Sequence, residues 1–473
     1  MIIRDEFAWG TIALGCIIVL GLAYGLPMAL AGLVAVLFAW WAWEYPEESF
    51  LTLIALSPLL PMLKVTQTVG NATLIKDVLI IVLFFRTCLI PLLTQKLPYR
   101  RNALFAPILA LVTWAVFETI NAGITTLSLL RLRDIGLYIV LYFGVLYLPH
   151  TAKHMKARYI VFLATLAITA ALGIFQFLHL PDSTVLRFDP ARSIWIPRVA
   201  STFAHPTVFA EYLITGITLC VGVLTTHLFQ KHAYKALIML IALTSIALIY
   251  VTYTRAAWIG FAVGITASML ALFLGNRKSI SLAAYKKQIA LGLGILALAL
   301  FAAVRFTPVG TFLASAFDPN YASNADRIAF AVNLISKTSN VDAVIGKGLG
   351  NVITESYEGG DASVIDITSG ESRTVQISKD QTLVDNQYLK TFIEMGVIGI
   401  VFTLWLFWRF LIACIHAIQR QDSTSRALGI ASIGFLAAFM VQALFVDIWD
   451  VYPTNALFWS LAALISARTV PEI

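Results

Sequence analysis

Apolar stretches long enough to matter to a bilayer recur along the chain, with short polar connections between them. A hydrocarbon core about 30 Å thick needs about 20 apolar residues per helix. The stretches fall near 7–24, 26–43, 50–63, 73–93, 103–120, 127–148, 159–180, 208–228, 236–253, 257–274, 288–305, 388–418, 427–446 and 454–467. The pattern predicts an all-α polytopic membrane protein with about 12 (11–14) transmembrane helices. The stretch 50–63 is short and holds Pro58 and Pro61, so it is predicted to be a re-entrant or interfacial piece.

The pattern breaks once. Residues 306–387 are polar and mixed in charge, which divides the chain into transmembrane helices over 1–305, a loop domain over 306–387 and C-terminal transmembrane helices over 388–473. Inside the loop, Ile328, Ala331, Val332 and Ile335 follow Ser323 and Asn324 at helical spacing, which predicts a short amphipathic helix over 323–336. The stretch 354–382, rich in Ser, Asp and Gly, reads as a mobile flap. No internal repeat and no inverted pair of broken helices, as found in many secondary transporters, is visible.

Composition supports one membrane domain rather than several soluble ones. Hydrophobic residues make up 59% and charged residues 12%, against about 25% charged in soluble chains. The net charge of +7 comes from short clusters between apolar runs rather than from one polar face, which argues against a nucleic-acid partner. Cys16, Cys88, Cys220 and Cys414 all lie within apolar runs, so neither a disulfide framework nor a zinc motif is legible. Arg4, Asp5 and Glu6 with no small-residue cleavage site point to a retained first helix rather than a signal peptide.

Charge also orients the chain. If every segment crosses, the loops at 94–102, 149–158, 229–235, 275–287 and 419–426 share one side and carry 14 Lys and Arg, whereas the opposite short loops carry Lys64, Arg187, Arg192, Arg198 and Arg255. Basic short loops stay in the cytoplasm. Both termini are therefore expected there, with loop 306–387 extracytoplasmic.

Charges at membrane edges are costly and are functional hypotheses by default. Arg255 sits in Tyr253-Thr254-Arg255-Ala256-Ala257-Trp258, Arg198 precedes Ser201-Thr202-Phe203-Ala204-His205-Pro206, and Arg327 and Asp385 bracket the loop. Arginines converging on one cavity suit a phosphate or pyrophosphate; the competing reading is a headgroup anchor. Asp385 is either a base for an acceptor hydroxyl or the cap of the following helix. His205 is a second base, a donor to phosphate or an interfacial histidine. Glu211 is its partner or a member of an intramembrane ion pair. Gly346-Lys347-Gly348-Leu349-Gly350 lacks the P-loop order and reads as a turn. In the N-terminal half, Asp77, Arg86, Glu118, Arg131, Arg133 and Asp134 are expected to pair with one another.

At these residues the chain resembles the O-antigen ligase and polymerase superfamily, membrane glycosyltransferases that use polyprenyl-pyrophosphate-linked glycans. The features are Arg198 with Ser201 to Pro206, Tyr253 to Trp258, the long loop with Asp326-Arg327 and Gly346 to Asn351, and Asp385-Asn386-Gln387-Tyr388-Leu389 followed by Glu394-Met395-Gly396-Val397-Ile398-Gly399. The resemblance covers about 195–400. It implies a GT-C-like fold with no metal or other cofactor, and a bacterial inner-membrane location with the active site on the periplasmic or extracellular side. By the same resemblance Arg255 and Arg327 hold the donor pyrophosphate, Asp385 serves as the base, and Arg198, His205, Glu211, Asn386 and Tyr388 contact substrate. Ligases of the superfamily carry a histidine where this chain has Asp385, so an Asp-Asn version looks more like polymerases of exopolysaccharide, capsule or O-antigen repeats. Expected partners are a polyprenyl-pyrophosphate-linked glycan donor, a glycan or lipid-linked glycan acceptor, and membrane lipids. The alternatives are a ligase moving finished polymer to lipid A core or protein, and a transporter of a small anion such as bicarbonate or of a lipid-linked sugar.

Overall fold

The computed structural model describes residues 26–65, 72–95, 102–179, 185–189, 194–226, 228–275, 318, 322–351, 361–365, 372–376, 386–420 and 422–469. The expected spans 7–24 and 288–305, the basic connection 276–287 and Asp385 lie outside them. The chain forms α1 (Leu26–Glu44), α2 (Pro46–Leu56), α3 (Leu60–Val65), α4 (Ala72–Phe84), a π-helical turn (Phe85–Leu89), α5 (Ile90–Leu93), α6 (Phe105–Asn121), α7 (Thr126–Leu146) and α8 (Ala152–His179). After the hairpin β1 (Val185–Asp189) and β2 (Ile194–Arg198) come α9 (Pro206–Leu224), α10 (His232–Val251), α11 (Arg255–Gly275), α12 (Ala322–Ser336) and α13 (Asn340–Ile345). A second hairpin, β3 (Asp361–Ile365) and β4 (Ser372–Gln376), precedes α14 (Gln387–Gln419), α15 (Ser423–Gln442) and α16 (Thr454–Thr469).

Among the described residues six helices, α8, α9, α10, α11, α14 and α15, are long and apolar enough to cross a membrane. Together with the shorter apolar helices they fit a multi-pass membrane protein. The all-helical expectation holds, with two small additions: both hairpins are antiparallel two-stranded ribbons, with Val185 opposite Arg198 and Asp361 opposite Gln376. The 50–63 stretch becomes two short helices separated by a turn at 57–59, with Phe50 and Leu53 buried.

Local chemistry fixes the helix starts. Thr125, His205, Ser339, Asn386 and Asp422 each cap a helix by accepting a backbone N–H with the side chain. Pro206 follows His205 at the first helical position, where its missing N–H costs nothing.

α9 and α15 form the centre of the bundle. α9 is buried along nearly its whole length, and its one line of polar side chains, Glu211, Thr215 and Thr218, is buried with the rest. α11 approaches α15 through small residues: a Cβ on Gly264 would lie 2.8 Å from the carbonyl oxygen of Gly434. In lipid, where apolar side chains gain little by leaving the solvent, such close backbone packing is a main source of helix association.

Chain contacts sort the helix ends into two sets. At one end Val199 N–H donates to Val251 O, Gln387 N–H to Ala443 O, and Thr454 Oγ1 to Glu211 Oε2. At the other, Arg420 bonds Arg468 O, and Arg158 pairs with Glu47. The first end gathers the C-terminus of α10, the N-termini of α9, α11, α14 and α16, and the C-terminus of α15. All candidate site residues that the structure describes belong to elements at this end.

Candidate active site

The turn between α10 and α11 is so tight that Tyr253 adopts a positive φ of 47°, a conformation that costs a non-glycine residue of order 1–3 kcal/mol. That turn is clamped by Arg198. Its Nε donates to Thr252 O at 2.8 Å and an Nη donates to Thr254 Oγ1 at 2.9 Å, with the side chain buried. The segment after Arg198 is pinned to α8, where Gln176 Oε1 accepts from the N–H groups of Ala200 and Ser201. Arg255 opens α11, and its guanidinium donates to Asn324 Oδ1 at 3.2 Å. Asn324 in turn donates to Asp318 O. Arg327 lies three residues further along α12, on the same helix face as Asn324, and is exposed. Arg198, Arg255 and the Arg327 helix thus meet around one turn.

His205 uses Nδ1 to accept from Thr207 N–H at 3.2 Å. An imidazole accepting at Nδ1 carries its proton on Nε2, so His205 offers a donor rather than a base in this state. Glu211 does not pair with His205. Its Oε2 accepts from Thr454 Oγ1, and its Oε1 is buried with no hydrogen-bond partner among the described residues. Asn386 takes the capping role that the sequence left open for Asp385: its Oδ1 accepts from Leu389 N–H at 2.9 Å while Nδ2 donates to Leu444 O. Tyr388 donates its hydroxyl to Met440 O at 2.9 Å. Asn386 and Tyr388 therefore tie α14 to α15.

α14 is broken. Gly396 sits at φ 64°, ψ −170° inside it, a region that essentially only glycine occupies. The carbonyls released by the break are taken up again: Lys347 N–H donates to Ile393 O at 2.8 Å, Gly348 N–H to Glu394 O at 3.2 Å, and Trp114 Nε1 to Met395 O at 2.8 Å. The turn at Gly346 to Gly350 is thus a backbone clamp on the kink. A Cβ on Gly396 would meet Val344 O at 2.2 Å. The same turn reaches α6, where Leu349 N–H donates to Glu118 O.

Beside the break lies a buried ion network. Arg131 on α7 donates from Nε and an Nη to both carboxylate oxygens of Glu394 and, with its other Nη, meets Asp450 Oδ1 at 2.6 Å. Lys390 lies 2.7 Å from Asp450 Oδ2 and 3.4 Å from Asp447, and Gly350 N–H donates to Glu394 Oε1. Burial opposes a charge on Asp450, but Arg131 and then Lys390 outweigh it and hold this carboxyl below the usual carboxylate range. A small cavity of about 40 Å³ is lined by Arg131, Gln387, Glu394, Asp450, Trp449 and Trp459 among others.

The N-terminal charges follow their expectation in part. Asp77 pairs with Lys76 and Arg133, and Arg133 with Asp134. Arg131 instead reaches C-terminal acids, Glu118 Oε2 accepts from Asn121, and Arg86 Nε donates to Trp43 O. The sequence reading passed over Lys390, Asp447 and Asp450. Their signal was present as a cation early in an apolar helix and two acids in a short connection between apolar helices, which is costly unless paired.

The chain thus combines membrane-length apolar helices with arginines and a buried ion network gathered at one end of its bundle. Residues 240–404, from α10 to past the break in α14, match the family model Wzy_C, O-Antigen ligase, so this stretch is similar to that family. No curated protein matches the chain.

Proposed function

We propose that this protein is a membrane glycosyltransferase that polymerises polyprenyl-pyrophosphate-linked oligosaccharide repeats on the outer face of the inner membrane. The observation that carries the reading is the gathering of Arg198, Arg255 and the Arg327 helix around the α10–α11 turn, with Arg255 and Arg327 inside the matched stretch. Orientation rests on charge. Lys153, Lys156, Lys231, Lys235 and Arg420 lie at or near the opposite end of the bundle, which supports a cytoplasmic location for that end and an outer one for the arginine end, with loop 306–387.

In this reaction the acceptor hydroxyl attacks the anomeric carbon of the donor glycan, a new C–O bond forms, and the bond from that carbon to the pyrophosphate breaks. Displacement in one step inverts the centre. Arg255 and Arg327 neutralise the departing pyrophosphate, as preorganised positive groups stabilise developing negative charge; no step calls on a metal ion. Asp385, one residue before the cap Asn386, takes the acceptor proton. Arg198 braces the turn that presents Arg255. His205 supplies Nε2–H as a donor to a phosphate oxygen.

The family model's description favours a second reading, a ligase that moves finished polymer to lipid A core or protein. The transport alternative draws little support from the break in α14, because its carbonyls are already engaged by Lys347, Gly348 and Trp114. The test is complementation of a strain lacking the protein with Arg255→Ala and Asp385→Ala, reading lipid-linked glycan and polymer on gels. Single lipid-linked repeats without long polymer are the expected result. Full-length polymer left unattached identifies a ligase, and normal glycans with both folded, membrane-inserted variants overturn the enzymatic site.

A further inference from the structure

α14 changes neighbours at its break. Beyond Gly396, Val397, Val401, Leu404 and Trp408 recur at helical spacing and are exposed, which in a membrane-spanning helix is the face turned to lipid. Before Gly396 the helix is covered by α12 and α13. Leu334 packs against Leu389, Phe392 and Ile393, and a Cβ on Gly396 would meet Val344 O at 2.2 Å and Ile345 C at 2.6 Å.

This covering layer has a second apolar face. Ile328, Val332 and Ile335 form one stripe on α12, Val341 and Val344 follow on α13, and each of the five is 49–65% exposed. Arg327, Asn333 and Lys337 fall off the stripe by helical spacing. A loop surrounded by water does not ordinarily leave five such aliphatic side chains open. The surroundings show what covers them. Val344 sits on Gly396 and so borders Val397, where the lipid-facing row of α14 begins. On the other flank Asn121 Nδ2 donates to Gly346 O at 3.3 Å, which joins the layer to α6, whose own exposed row of Leu109, Val116 and Ile120 ends beside Asn121. The stripe is therefore continuous on two flanks with surface that faces hydrocarbon.

We infer that α12 and α13 rest on the outer leaflet of the bilayer, with Ile328, Val332, Ile335, Val341 and Val344 inserted among the lipids and Arg327 and Lys337 turned to headgroups and water. Amphipathic helices with one apolar face lie in the plane of the interface in this way. Apolar area rather than charge drives the insertion, since Arg327 and Lys337 are matched in number by Asp326 and Asp342. One consequence rests on the glycan-transfer reading: α12 also carries Asn324, the partner of Arg255, so both arginines sit at the depth of lipid phosphates, where the pyrophosphate of a polyprenyl-linked donor lies.

The test is spin-label accessibility in the full chain, reconstituted in vesicles of phosphatidylethanolamine and phosphatidylglycerol. Cys88, Cys220 and Cys414 are buried and stay unlabelled; Cys16→Ser removes the remaining thiol, and single labels enter through Val332→Cys, Val341→Cys, Lys337→Cys and, on α14, Val401→Cys. Labels at 332 and 341 are expected to share the preference of the α14 label, relaxed by oxygen dissolved in the bilayer and shielded from a water-soluble nickel chelate, while the label at 337 is open to nickel. Nickel access at 332 and 341 equal to that at 337 makes the face an aqueous surface and overturns the inference. Shielding from both relaxers overturns it too, because protein then covers the face. The readout involves no glycan, so its failure is separate from failure of the polymerase reading, which is decided by polymer in the Arg255→Ala strain.

Discussion

The two charged regions at this end of the bundle hold their arginines in different ways. Arg131 is gripped by two carboxylates, Glu394 and Asp450, deep between α7 and α14. Arg198 is gripped by a carbonyl and a hydroxyl of the 252–254 turn, and Arg255 by the amide oxygen of Asn324. Two carboxylates on one guanidinium cancel its charge and lock helices together, while a carbonyl, a hydroxyl and an amide oxygen fix a guanidinium's position on a turn. The first arrangement belongs to the scaffold around the break in α14; the second holds the turn that carries Arg255.

That contrast can be broken by substitution, and the largest effect is expected at Arg131. Arg131→Ala leaves Glu394 and Asp450 buried without their main partner, a loss of about 3–5 kcal/mol, read as failure to recover folded protein after detergent extraction. Gly396→Ala comes next. A Cβ there meets Val344 O in a conformation alanine does not adopt, so a loss of about 3 kcal/mol is expected as a lowered Tm, and an unchanged Tm removes the clamp from the account.

A smaller effect belongs to Asp450. Its carboxyl is held below the value it has when unfolded, so the stability it contributes is complete above about pH 4 and is lost as pH falls through the lower folded value. Thermal melts of the wild-type protein should therefore steepen in this acid range, and those of Asp450→Asn should not. Parallel acid limbs contradict the ion network as drawn. The smallest stability change is expected at Arg255→Ala, about 1 kcal/mol for its hydrogen bond to Asn324, together with complete loss of polymer. A collapse in Tm comparable to that of Arg131→Ala would place Arg255 with the scaffold and erase the contrast.

Most helices were legible because hydropathy needs only the chain itself. Residues 26–43, 208–228, 236–253 and 323–336 fall within a few residues of α1, α9, α10 and α12, since a bilayer-length apolar run with a capping residue before it has few other ways to satisfy its backbone. The two hairpins were not legible: their strands are five residues long, and period-two patterning over so few positions is weak. At the site, the sequence singled out Arg198 and Arg255 by their position between apolar runs, and the structure joins both to one turn. It also singled out Asn386 and Tyr388, whose polar atoms prove to be spent on the α14–α15 contact.

By itself, then, the sequence determined the apolar helices, their charge asymmetry and the arginines at their edges, because transfer free energies are local properties of each segment. Tertiary structure alone decided that Arg131 reaches across 263 positions to Glu394, that three glycine-turn and indole donors repair the break at Gly396, and that a small cavity opens beside it. Those outcomes depend on which buried groups satisfy one another's hydrogen bonds and charges across the bundle. Neither spacing nor composition carries that pairing, since any buried cation can be matched by any acid that the fold brings within reach.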